Sequence, residues 1–184
     1  MIVVVSNLRV GSSSFVKDLS ETTGLSLYHK YTGEFLHQTY KKPRDSIGIY
    51  KVIPNQLDGN WDRFKKDYLD NANIIFYLAR RNFKEQLKSF ITCTLTKNWH
   101  PQTKEPKHLY TPVALNINPN RLLVAGHFQT LKRIYEQQQA LYKEYPGKVL
   151  YLEDRHDEDK KYVRPVNWLY KPKLPKITPE EYFK

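Results

Sequence analysis

The sequence predicts an α/β fold, P-loop-like and three-layered, with a mainly parallel central sheet flanked by helices. Three observations carry that expectation. The chain opens on a β-branched run, Ile2-Val3-Val4-Val5, which breaks into the loop Ser6-Asn7-Leu8-Arg9-Val10-Gly11-Ser12-Ser13-Ser14 and then into helical spacing. A second apolar run, Asn73-Ile74-Ile75-Phe76-Tyr77-Leu78, is again followed by a helical face, through Phe83, Leu87, Phe90, Ile91 and Leu95. Continuous apolar runs are what strands buried on both faces look like, and strands that alternate with helices imply crossover connections and a parallel sheet.

Taken in order, Phe15, Val16, Leu19 and Thr23 share one face of a first helix, with Gly24 placed to cap its end. Residues 25–28 suit a short second strand, and Lys30-Tyr31-Thr32-Gly33-Glu34-Phe35 reads as a turn into a substrate-facing segment. The cluster Lys41-Lys42-Pro43-Arg44 reads as a solvated loop. Residues 47–53, closed by Pro54, predict a strand, and Trp61, Phe64, Tyr68 and Leu69 mark a helix over 61–69. Between 97 and 119 the pattern dissolves into His100-Pro101, Glu105-Pro106 and Thr111-Pro112, a stretch long enough to predict a lid or substrate loop. Asn118-Pro119 supplies an N-cap and a first-turn proline for a long helix with Leu123, Val124, Phe128, Leu131, Tyr135 and Leu141 on its apolar side, ended by Pro146-Gly147. Residues 148–152 form a last core strand, 153–161 a charge run, and 165–184 an irregular basic tail. No internal repeat or linker divides the chain, so 1–184 is expected to be a single domain.

A single cysteine excludes a disulfide scaffold, and Cys93 reads as a small core residue. The apolar start is too short for a signal-peptide core or a membrane span, so a cytoplasmic protein without membrane contact is expected. A net charge of +11 favours an anionic partner, whether nucleotide, nucleic acid or acidic glycan.

Chemistry concentrates in two places. The first loop sets a cation, Arg9, with Gly11 and three hydroxyls, Ser12, Ser13 and Ser14, beside a helix N-terminus, where an anion sits well. An ordinary strand-to-helix turn accounts for the same residues. The second place is the stretch from Tyr77 to Phe90, with Arg80 and Arg81 at a strand end and Ser89 two helical turns on. At about 3.6 residues per turn, Arg81 and Ser89 return to one side of a helix, where guanidinium and hydroxyl suit a second phosphate. A solvated basic helix start is the plain alternative.

With those residues in view, the sequence resembles the sulfotransferases that use 3′-phosphoadenosine 5′-phosphosulfate (PAPS). Arg9-Val10-Gly11-Ser12-Ser13 resembles their 5′-phosphosulfate loop, in particular the Arg-Ser-Gly-Ser-Thr form of bacterial trehalose 2-sulfotransferase and nodulation-type enzymes. Arg81 with Ser89 resembles their 3′-phosphate motif, and Val149-Leu150-Tyr151-Leu152-Glu153-Asp154 the late strand ending in a Tyr-Glu-Asp-type turn. The three occur in the family's order and span most of the chain, leaving 97–119 unmatched. Valine at the second loop position and serine for threonine keep the hydroxyl donors, and Arg9 stands where many members carry lysine, neutralising charge but donating a proton less readily.

The resemblance implies transfer of a sulfuryl group from PAPS, as co-substrate, to a hydroxyl or amine, with release of adenosine 3′,5′-bisphosphate. It gives the 5′-phosphosulfate to Arg9, Gly11, Ser12, Ser13 and Ser14, and the 3′-phosphate to Arg81 and Ser89 with Arg80. The family's general base is a histidine or, in the trehalose type, a glutamate soon after the first helix; Glu34 in Gly33-Glu34-Phe35 matches the latter, with His29 and His37 as competitors. Lys171 and Lys173 fall where the family has a basic segment that closes over the nucleotide, although a solvated tail fits them nearly as well. His127 reads as a helix side chain with its bonds satisfied. No residues have metal-ligand spacing, so no metal is expected. The acceptor, whether carbohydrate, peptide or small phenol, is left open.

Three rivals stand beside this reading. A P-loop kinase needs a Gly-Lys-Ser/Thr ending that the loop lacks, and Lys17 comes a turn too late. A nucleic-acid module would use the positive charge and the 14 tyrosines, but many of those tyrosines fall on predicted core faces and no RNA-binding motif is visible. A non-catalytic protein that keeps the nucleotide pocket has the same sequence features.

Overall fold

β-Branched side chains are restricted at χ1 and pack well on a pleated surface, and the opening run forms strand β1 (Ile2–Ser6), buried along its whole length. The computed structural model describes residues 1–28, 43, 47–57, 59–96, 115–117, 119–154, 166–168 and 175–184. After β1 come α1 (Ser12–Thr23), β2 (Ile49–Val52), α2 (Trp61–Phe64), β3 (Ile74–Ala79) and α3 (Phe83–Thr96). Then follow β4 (Leu115–Ile117), α4 (Arg121–Glu144), β5 (Lys148–Tyr151) and β6 (Val166–Trp168).

Four strands make one parallel sheet in the order β2-β1-β3-β5. Because side chains alternate across a strand, β1 feeds two cores. Ile2 and Val4 pack with Val10, Val16, Ile49 and Leu78 beneath α1. Val3 and Val5 join Phe64, Leu87, Phe128 and Leu131 on the opposite face, under α2, α3 and α4. Val3, Val4 and Val5 have no exposed surface, and each contributes roughly 1.5–3 kcal/mol by burial. The fold is therefore α/β, an all-parallel sheet between helices.

The strand order places the site. β2 lies on one side of β1 and β3 on the other, so α1 and α3 leave neighbouring strand ends toward opposite faces. Such a reversal opens a crevice at the carboxyl ends of the strands.

Several elements differ from their sequence expectation. Residues 25–28 do not make a strand; a single bridge joins Leu27 to Ile49. The strand expected over 47–53 is Ile49–Val52, and Ile47 is exposed. The helix expected over 61–69 changes after Phe64 into a π-turn, Lys65–Leu69, where the Asp70 N–H reaches back to the Lys65 carbonyl. That wider turn brings Phe64, Tyr68 and Leu69 into the core together. The cap of α4 is Asn120, whose Oδ1 accepts from the Leu123 N–H at 2.8 Å, two residues later than Asn118.

The regions expected to be a lid and an irregular tail also hold regular structure: β4, from the first, pairs in parallel with β6, from the second. The last residues turn into a 3₁₀ helix, Pro179–Phe183, which sets Phe183 against Tyr77 and Tyr142. Gly147, before β5, is required by close approach, since a Cβ there would lie 2.5 Å from the Ile75 carbonyl oxygen. Among the described residues, no helix is long and apolar enough to cross a membrane.

Candidate functional site

The crevice between α1 and α3 begins where β1 ends. Asn7 is fully buried, its Oδ1 accepting from the Leu8 N–H at 2.7 Å, which turns the chain sharply out of the sheet. Arg9 follows with φ 59° and Gly11 with φ 66°, and Gly11 is the N-cap of α1. A positive φ is unforced for glycine but strained for arginine, and such strain persists where surrounding structure holds it. Gly11 has no side chain with which to cap α1 and no acidic residue lies in the first turn, so the positive end of the helix dipole is not offset from within the helix.

Two cations converge there. Lys51, at the centre of β2, has no exposed surface, and its Nζ lies 3.3 Å from both the Ser12 and Ser13 hydroxyl oxygens. It pairs in register with Val4, which puts it on the face of the sheet covered by α1. Arg9 comes from the loop itself and donates from Nε to the Ser89 Oγ on α3 at 3.0 Å. Two cations, two hydroxyls and a helix N-terminus thus gather in one cradle, the kinds of group that favour an anion. Ser14 contributes differently, because its hydroxyl donates back to the Gly11 carbonyl at 3.0 Å.

Arg81 and Ser89 do not meet. Arg81 lies in the turn before α3, outside the helix, so the helical period that would align it with Ser89 does not apply. Its guanidinium forms a bidentate pair with Asp154, reaches Glu180 at 3.3 Å, and sits over the Tyr151 ring at 4.2 Å. The hydrogen bond to Asp154 raises the Arg81 pKa and holds the Asp154 carboxyl below its ordinary range.

Arg80 is the arginine nearer the cradle. Burial, opposed by Glu153 at 3.7 Å, lowers its pKa, and the Arg9 charge lowers it further. Its Nε is buried without a hydrogen-bond partner. Glu153 also receives the backbone N–H groups of Arg81 and Asn82, each at 3.0 Å, so this carboxylate closes the start of α3.

Glu34, His29, His37, Lys171 and Lys173 lie outside the described residues. His127 has both ring nitrogens engaged, with the Leu123 carbonyl at 2.9 Å and the Thr94 hydroxyl at 2.8 Å, and burial lowers its pKa. Cys93 is buried on α3, and desolvation raises its thiol pKa. A cavity of about 520 Å³ opens elsewhere, between α4 and the C-terminal segment, lined by Phe128, Lys132, Lys176 and Tyr182 among others. None of the cradle residues lines it.

Lys51 is the residue that reading the sequence missed. Its signal was a lone lysine inside the otherwise apolar run Ile49-Tyr50-Lys51-Val52-Ile53. Comparison of the chain with protein families, curated proteins and solved structures returned no match.

Proposed function

We propose that the chain is a PAPS-dependent sulfotransferase on a P-loop-like scaffold, transferring the sulfuryl group to a hydroxyl or amine acceptor and releasing adenosine 3′,5′-bisphosphate. One observation carries the reading: the Arg9–Ser89 hydrogen bond ties the loop before α1 to the middle of α3. The loop that resembles the phosphosulfate motif and Ser89 of the stretch that resembles the 3′-phosphate motif therefore meet. Lys51 adds a cation where the 5′-phosphosulfate would lie, above the Ser12 and Ser13 hydroxyls.

The chemistry follows from charge. The acceptor oxygen or nitrogen attacks sulfur in line as the bond from sulfur to the 5′-phosphate oxygen breaks, and negative charge gathers on the departing phosphate. Arg9, Lys51 and the α1 dipole stabilise that charge, and the work is chiefly positioning and electrostatics. The acceptor's proton goes to a base, for which Glu34 is the first candidate and His29 and His37 the next. Arg80, whose buried Nε makes no hydrogen bond and lies 3.7 Å from Glu153, joins Ser89 as the group for the 3′-phosphate, with Arg81 able to join only on leaving Asp154 and Glu180. Lys171 and Lys173 would close over the nucleotide.

The test is thermal denaturation with adenosine 3′,5′-bisphosphate, ATP–Mg²⁺ or an oligonucleotide, paired with a screen of acceptors using sulfur-labelled PAPS. The bisphosphate, at a hundredfold excess over its Kd, should raise Tm by roughly 5–10 °C. Stabilisation by ATP–Mg²⁺ alone, or by the oligonucleotide alone, overturns the reading. Bisphosphate binding with no labelled acceptor leaves a nucleotide-binding protein without transfer.

A further inference from the structure

Behind the cradle runs a chain of buried and part-buried hydrogen bonds that joins its two arms. Gln86, on α3, has no exposed surface. Its Nε2 donates at 2.6 Å to the Leu8 carbonyl, the peptide group that leads into the strained Arg9. Its Oε1 accepts from the Tyr135 hydroxyl, on α4, at 2.8 Å. That hydroxyl in turn accepts from the Arg80 N–H at 3.1 Å. The Arg80 carbonyl is also near, at 3.2 Å, but one hydroxyl proton serves one acceptor and the Gln86 contact is the shorter.

The direction of the chain is thus Arg80 N–H to Tyr135, Tyr135 O–H to Gln86, and Gln86 N–H to Leu8. The same face of α4 reaches the strand ends twice more. The Leu131 carbonyl accepts from Asn7 Nδ2, and Gln138 Nε2 donates to the Val5 and Leu78 carbonyls, both at 3.1 Å. Residues 131, 135 and 138 recur at helical spacing, so one face of α4 grips the ends of β1 and β3. Burying polar groups in an otherwise apolar core costs free energy unless each is bonded. Here the bonds run to the peptide groups beside Arg9 and Arg80.

We infer that Gln86 and Tyr135 are positioning residues that set the spacing between the β1–α1 loop and the turn before α3, so that a ligand carrying two phosphates meets both arms at once. The inference rests on the proposed two-phosphate reading. With the arms held at a set spacing, binding of one phosphate makes engagement of the second intramolecular, and loosening the tie should affect only ligands that use both.

The test is calorimetric titration of wild type and Tyr135→Phe with adenosine 5′-monophosphate and with adenosine 3′,5′-bisphosphate. Tyr145→Phe, which loses a hydroxyl bond to Asp70 remote from the crevice, serves as the control. Wild type should bind the bisphosphate more tightly than the monophosphate. Tyr135→Phe should raise the bisphosphate Kd about tenfold and leave the monophosphate Kd within about twofold, while the control changes neither. Equal weakening of both ligands, or a lower Tm with both affinities intact, would mean the relay only stabilises the fold. Wild type without preference for the bisphosphate rejects the two-phosphate reading itself. Should Tyr135→Phe not fold, Gln86→Met, of similar volume, carries the same expectation.

Discussion

The chain contains two parallel strands that each turn into a helix at the crevice, and the two turns are finished in opposite ways. Where β1 becomes α1, Gly11 caps without a side chain, the first turn has no acid, and Lys51 and Arg9 gather on the serine hydroxyls. Where β3 becomes α3, Glu153 accepts the first N–H groups and Asp154 and Glu180 hold Arg81. The contacts described at the first turn are between cations and hydroxyls, whereas those at the second are with carboxylates. The helix dipole has the same sense at both starts, so what differs is the charge of the side chains gathered there.

Removing the cation that distinguishes the first turn should have the largest effect. Lys51→Met should weaken adenosine 3′,5′-bisphosphate binding by roughly 10–100-fold, as loss of a charge-assisted contact requires. Its melting temperature should fall, because the ammonium's hydrogen bonds to the Ser12 and Ser13 hydroxyls are lost from a buried position. Calorimetry and a melt on the same sample check both. Unchanged affinity would remove Lys51 from the cradle.

Glu153, at the second turn, should matter more to stability than to binding. Glu153→Gln keeps the shape but not the charge that receives Arg81 N–H and Asn82 N–H. It should cost about 0.5–2 kcal/mol in urea denaturation. A comparable loss of ligand affinity would show that the two turns are not separable.

The smallest effect belongs to the exposed pair. Asp154→Asn frees Arg81 for a phosphate and should tighten bisphosphate binding by about threefold, with little change in melting temperature, as exposed ion pairs contribute little. The pair also sets a pH dependence. Arg81 holds the Asp154 carboxyl below its ordinary value of 3.8. Its contribution is therefore present above that value and is lost as the pH falls through the lower folded value. Acid titration of wild type against the variant should show acid limbs that differ only slightly, the wild type the steeper; a large difference would mean the pair contributes more than an exposed one does.

Much of this was legible in the sequence, and what was not has a physical cause. The run Ile2-Val3-Val4-Val5, the glycine and serines after it, and the helical spacing of Phe83, Leu87 and Ile91 specify strand, loop and helix through local preferences. The α/β class followed from their alternation. The π-turn after Phe64 did not, because the wider turn answers to what Tyr68 and Leu69 pack against rather than to the residues that form it. The joining of β4 to β6 was hidden in the same way, since both strands sit in stretches whose local composition reads as loop.

The sequence by itself determined the order of strand, loop and helix around the crevice, and set a cation, a glycine and three hydroxyls in its first loop. Only the tertiary structure decided which side chains face one another. Arg81 turns to Asp154 and Glu180, Ser89 takes Arg9, Lys51 arrives from β2, and Gln86 and Tyr135 bind the two arms from behind. Each of these contacts joins residues distant in sequence, and each is set by strand order and helix packing. Local periodicity acts over a few residues and carries no term for either.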